Sequence, residues 1–273
     1  MPSSPSSSWH AELQLRFAPA AGRTRLVGRR HHGPLLVQRP FYPEGETCHV
    51  YVIHPPGGIA GGDDLTLDAT LLPGAHALLT TPAATRFYRA ADGRVARLRQ
   101  RLRLQAATLE WLPQETLCFD GAQVRMTTRV DLDADSRFIG WEQTCFGRRA
   151  CGENFTRGHV AQALEVWRDS RPLLIDRLHV TGGDAMLDAA CGLGGAAAIG
   201  TLLAFPATAE DVAAARALPL GGRLGVTLVD GLLLCRCVGP DIAALRALLL
   251  PVWQCLRPRI LRREAAQPRI WAT

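Results

Sequence analysis

The chain has 273 residues, a formal charge of +6 and 47% hydrophobic residues, the balance of a soluble globule with enough length to bury a core. All 31 basic residues are arginine, which excludes lysine-dependent phosphate loops, Schiff-base chemistry and lysine general bases. No run of ~18 apolar residues marks a membrane span, and aromatics at 6% are thin for base stacking, so the basic balance points first to an acidic protein partner.

The start, residues 1–8, is rich in Pro and Ser and is expected to be a disordered lead-in rather than a signal peptide, with a single domain over 9–273. Ala11, Leu13, Leu15 and Phe17 alternate with polar residues and predict a strand. Val50 to Ile53 reads as another, and it runs into His54-Pro-Pro-Gly-Gly-Ile-Ala-Gly-Gly-Asp-Asp64. Proline ends the strand and the glycines permit tight backbone turns, so a shaped loop presents Asp63 and Asp64 at its exit. Leu65 to Leu71 then alternates at period two, whereas a dinucleotide fingerprint would open a helix.

Arg97, Arg99, Arg101 and Arg103 interleave with leucines, placing four guanidiniums on one strand face at a spacing of ~6.6–6.8 Å. Such a row is either a solvated or edge-protecting face or a docking stripe for carboxylates. Val124 to Leu132 alternates again, and Phe138 to Cys145 is a further strand. Turn signals fall at Pro73-Gly74, Asp92-Gly93 and Asp120-Gly121. Short, evenly spaced strands predict a mainly β fold of stacked or coiled sheets, sandwich or β-helical-like. No internal repeat is legible.

Past residue 180 the texture changes, and a few helices are expected in the C-terminal third. Thr208 is a helix N-cap, Asp230-Gly231 joins a hairpin, and Asp241 opens a helix with an apolar stripe from Ile242 to Leu256 that Pro251 should kink. Cys235 and Cys237 share a strand face, as a soft-metal pair or as two small buried hydrophobes. Eight cysteines without a secretory pattern imply free thiols and a reducing, cytoplasmic compartment.

Three stretches carry acidic groups among apolar neighbours: Asp63 and Asp64, Glu115 and Asp120, and Glu142 with Glu153. Arg148 and Arg149 are natural partners for them, since an unpaired buried charge is costly. His54 with nearby carboxylates would be the basis of a metallohydrolase, yet no nucleophile elbow and no His-Glu-x-x-His motif accompanies it. A basic β module binding nucleic acid is the other alternative. A row of carboxylates in an apolar interior can also pass a divalent cation weakly by exchanging ligands.

At HPPGGIAGGDDL (54–65), TTPAATRFYR (80–89), EWLPQETLCFDGA (110–122), FIGWEQTCFGRRACGENF (138–155) and LRPRILRREAAQPRIWAT (256–273) the sequence resembles the UreD family of urease accessory proteins, called UreH in some systems. The likeness spans nearly the whole chain and is least clear over 181–220. Arg86 stands where the family pattern is expected to carry lysine. The resemblance implies a non-catalytic, mainly β maturation factor with no tightly bound cofactor and only transient nickel. It implies partners of the UreF and UreG type together with the urease subunits, GTP hydrolysis belonging to another chain, and neither nucleic acid nor membrane. It carries Asp63, Asp64, Glu115, Asp120, Glu142 and Glu153 over as groups that line a nickel conduit or dock partners, with Thr80, Thr81, Arg86, Tyr88 and Arg148 behind them.

Overall fold

Period-two alternation builds the first strand, β1 (His10–Ala20): Ala11, Leu13, Leu15 and Phe17 are buried while the residues between them face solvent. The structure, a computed structural model, describes residues 8–272, so the expected lead-in lies outside it apart from Ser8. Ala21 and Gly22, both at positive φ, turn the chain into antiparallel β2 (Arg23–His32). A short β3 (Leu36–Val37) then pairs with β4 (Cys48–Ile53).

From β4 the chain coils. Each turn lays one strand in a back sheet, bends, and lays the next in a front sheet. β4 leads to β5 (Asp64–Leu71), and β6 (His76–Thr80) leads through short β7 (Thr85–Phe87) to β8 (Ala96–Leu104). β9 (Thr108–Trp111) passes through β10 (Thr116–Cys118) to β11 (Gln123–Leu132), and β12 (Arg137–Phe146) leads to β13 (His159–Arg168). β1, β5, β8, β11 and β13 run parallel in the front sheet, as do β4, β6, β9 and β12 in the back sheet. At the bends Ile59 pairs beside Phe87, Phe87 beside Cys118, and Cys118 beside Phe146.

The β-helical-like alternative is therefore the one adopted, and the chain does contain a repeat. It escapes a search for recurring residues because each turn conserves only an inward apolar phase and a bend.

Antiparallel elements close the coil. β14 (Arg171–Thr181) returns against β13 through Asp169 and Ser170, both at positive φ. β15 (Ala198–Phe205) pairs with β12. Helix α1 (Ala209–Arg216) starts at Thr208 with a reciprocal capping box to Asp211. β16 (Arg223–Val229) and β17 (Leu232–Gly239) form the hairpin expected at Asp230-Gly231 and extend the back sheet. Helix α2 (Ile242–Leu261), capped by Asp241, runs on through Pro251 and Pro258, so Pro251 does not end it.

Two apolar layers result. Between the sheets, Leu15, Ala69, Leu102, Val130 and Val166 lie side by side across five parallel strands. Behind the back sheet, α2 buries Leu245, Leu249, Val252, Trp253 and Leu256, each such side chain contributing about 1.5–3 kcal/mol. Among the described residues, no helix is long and apolar enough to cross a membrane.

Candidate functional site

In-register parallel strands end together, so the stretches that follow β4, β6 and β9 emerge at one end of the coil. They are residues 54–63, 81–84 and 112–115. The glycine-rich stretch is pressed onto the next turn: a Cβ on Gly58 would lie 2.3 Å from the Tyr88 ring, and Gly62 adopts φ +92° under the Arg94 guanidinium.

Beneath these bends the two sheets part around a cavity of about 420 Å³, lined by His54, Arg86, Gln100, Trp111, Glu142 and Gln143 among others. Its walls are mostly apolar, with a few polar groups facing inward.

Glu142 sits on β12 at 8% exposure. Its carboxyl accepts a hydrogen bond from Gln162 on β13, and the Gln162 carbonyl in turn accepts one from Thr144 Oγ1 at 3.0 Å. Among the described residues no arginine or histidine forms an ion pair with it. Burial consequently pushes its pKa up. Among the described residues, the buried atoms His54 Nε2, Trp111 Nε1 and Gln143 Oε1 meet no hydrogen-bond partner. Burial also lowers the His54 pKa, against the opposing charge of Asp63, so the imidazole is neutral at pH 7. A neutral imidazole and a carboxylate without a counter-ion are both competent ligands for a borderline divalent cation. Among the described residues, no three His, Cys, Asp or Glu side chains gather to hold a metal ion.

Of the predicted residues, His54, Thr81, Arg86 and Glu142 line this cavity, and the others are elsewhere. Asp63 is buried and accepts N–H bonds from Trp9 and Ala60, both at 2.8 Å, stapling its loop to the entry of β1. Asp64 points outward to Arg99 at 2.6 Å. Asp120 accepts from Thr156 N, Thr156 Oγ1 and Arg157. Although burial opposes it, these donors bring the Asp120 pKa down to about 2. Glu153 accepts the Asp120 N–H and pairs with Arg148, which lies over Phe119. Glu115 is half-buried, and its backbone carbonyl accepts from Thr85 N. Thr80 is fully buried, donating to Leu112 O and accepting from Trp271 Nε1 at 3.0 Å. Tyr88 is exposed and edge-on to Phe119.

Arg97, Arg99, Arg101 and Arg103 do share one solvent-facing side, but β8 is a central strand of the front sheet, so the edge-protecting explanation falls. Burial pushes the Cys235 and Cys237 thiols up to about 12. Both are buried in the apolar layer behind the back sheet, where they pack as small core residues.

Sequence reasoning passed over Gln100, Gln143 and the buried pair of Glu110 and Arg257. Gln100 left a signal: it stands in the inward phase of β8, between Leu98 and Leu102, where an apolar residue is the rule. Arg257 left a weaker one, a charge beside the apolar stripe of α2.

The profile of the family described as UreD urease accessory protein matches residues 10–272. The curated protein named Urease accessory protein UreD from Klebsiella aerogenes is 46% identical over 269 residues, covering 97% of each chain. The protein of that name from Dechloromonas aromatica (strain RCB) is 47% identical over 279 residues, covering 98% of this chain and 96% of its own. The one from Citrobacter koseri is 46% identical over 268 residues, covering 97% and 92% respectively.

Proposed function

The chain belongs to the UreD family of urease accessory proteins, and from that premise we propose that it matures urease as a non-catalytic scaffold through which nickel passes as cargo. The observation that carries this is the cavity at the bends, with the buried, counter-ion-free carboxyl of Glu142 in its wall. A divalent cation compensates that carboxyl better than anything the fold supplies. With only His54 and neutral amides as further ligands, binding is weak, as release onward requires.

The partners we assign are a UreF-like accessory protein, a UreG-like GTPase and the urease subunits. The lysine-free sequence fits nucleotide hydrolysis on another chain. Free thiols suit the reducing cytoplasm, where we place the protein. Asp63, Asp120 and Glu153 serve this function by fixing the loops at the cavity end, and Asp64 belongs to the outer face.

The test is nickel incorporation into urease at limiting nickel, with Glu142→Gln and His54→Gln combined. Activation is expected to fall about tenfold, the equivalent of one lost ligand contact, while co-purification with the partners persists. Normal activation by the double variant would sink the conduit.

A further inference from the structure

The outer face of the front sheet carries a pattern that the cavity does not explain. Three strands, β5, β8 and β11, present their outward residues in register. Asp64 lies beside Arg97 and Arg97 beside Arg125; further along, Asp68 lies beside Arg101 and Arg101 beside Arg129. Adjacent strands are ~4.8 Å apart, so like charges are neighbours twice over.

The second pair is neutralised, since Arg101 and Arg129 both reach Asp131, at 3.0 and 2.7 Å. Arg99 is held by Asp64 and Arg103 by Asp68. The first pair has no such relief. Among the described residues, Arg97 donates to the Val95 carbonyl and to no carboxylate, and Arg125, exposed, meets no acceptor. Among the described residues, two adjacent guanidiniums without an ion pair of their own therefore stand on the solvent-facing side of the sheet, since Asp64 beside Arg97 is taken up by Arg99.

Position adds to this. The inward residues of the same strands, Leu65, Leu98 and Met126, line the cavity. The Arg97–Arg125 pair is thus the outside of the cavity wall, at the end where the bends open.

We propose that the Arg97–Arg125 end of the front sheet docks an acidic protein surface, whose carboxylates complete the ion-pair pattern this face leaves unfinished. Paired guanidiniums suit bidentate carboxylate recognition. A phosphate polymer fits poorly, because Asp64, Asp68 and Asp131 are interleaved on the same face and would oppose it. A second copy of this chain would set arginine pair against arginine pair. The inference deepens the maturation function and rests on it: the acidic surface belongs to a member of that assembly, and docking there brings it next to the cavity opening.

The experiment measures binding of the full chain to apo-urease from the same organism and to the UreF-like partner, at low and moderate salt, with duplex DNA as a third probe. Arg97→Glu/Arg125→Glu is compared with wild type and with Arg97→Gln/Arg125→Gln, all checked for an unchanged melting transition. One protein partner is expected to lose about tenfold or more in affinity with the reversal and less with the neutral pair. Its salt dependence should flatten, and DNA should not bind. If both double variants bind the protein partners as wild type does, the docking face is refuted while the maturation role stands. If the sites matter only for DNA, the protein occupant is refuted. If wild type binds neither partner at any salt, the maturation reading falls and the inference with it.

Discussion

Arg257 on α2 and Glu110 on β9, each with no exposed surface, are joined through Nε and Nη2 at 2.9–3.1 Å. The same guanidinium reaches Glu44 at 2.8 Å, and Trp253 Nε1 donates to Glu110 at 3.1 Å. One charge cluster thus ties the last long helix to the middle of the coil. A buried pair of this kind adds little net stability but is costly to split.

Arg257→Met should therefore destabilise by about 3–5 kcal/mol, because Glu110 is left charged in an apolar layer. Adding Glu110→Leu should recover part of the loss. Urea midpoints at constant slope read both effects. Burial pushes the Glu110 pKa upward, yet its contacts with His76 and Arg257 outweigh this and hold it below 4.5. The stabilisation is therefore complete above about pH 4.5 and is lost as pH falls through the lower folded value.

Asp120 makes a second acid-sensitive joint. Its pKa falls from 3.8 to about 2 in the folded chain, where Arg157 and two backbone N–H groups overcome the cost of burial. The joint contributes fully above about pH 4 and fades towards pH 2. Asp120→Asn should lower the melting temperature at pH 7 and narrow its difference from wild type in that acid range. Faster amide exchange over 153–157 would locate the loosening.

Glu142 reverses the sign. Its folded pKa lies above 4.5 because burial penalises the anion, so the fold loses stability as pH rises through that value. Glu142→Gln keeps an acceptor for Gln162 and removes the penalty. The variant should melt higher than wild type at pH 7 and match it in acid. A lower melting point at pH 7 would show that the carboxylate is compensated inside the fold.

Thiol reactivity separates the cysteines. Cys151 and Cys191 are exposed, whereas Cys48, Cys118, Cys145, Cys235 and Cys237 are buried. A chromogenic disulfide should modify Cys151 and Cys191 quickly in the native chain and reach the buried five only on unfolding. Rapid native labelling of Cys235 or Cys237 would contradict their protonated, enclosed state.

The strands were legible wherever one face is wet: β1, β5, β8 and β11 announce themselves by alternation, and the two C-terminal helices by Thr208 and Asp241. The coil was not, because parallel pairing between turns depends on residues far apart in the chain, and Ile59, Phe87, Cys118 and Phe146 share a column without sharing an identity. The site was half legible. Asp63, Asp64 and Asp120 stood out as acids in odd places, but sequence cannot tell a carboxylate that staples a loop from one buried without a counter-ion. Glu142 differs from them in what is missing around it, and only three dimensions supply that.

Because the coil returns to the same end at every turn, the rim above the cavity is assembled from three stretches, 54–63, 81–84 and 112–115, that lie far apart in the chain. Each stretch hangs from its own pair of strands. A loop there can lengthen, shorten or change its side chains without disturbing the register below. The rim is thereby modular: its outline can be revised one loop at a time while the hydrogen-bonded frame stays as it is.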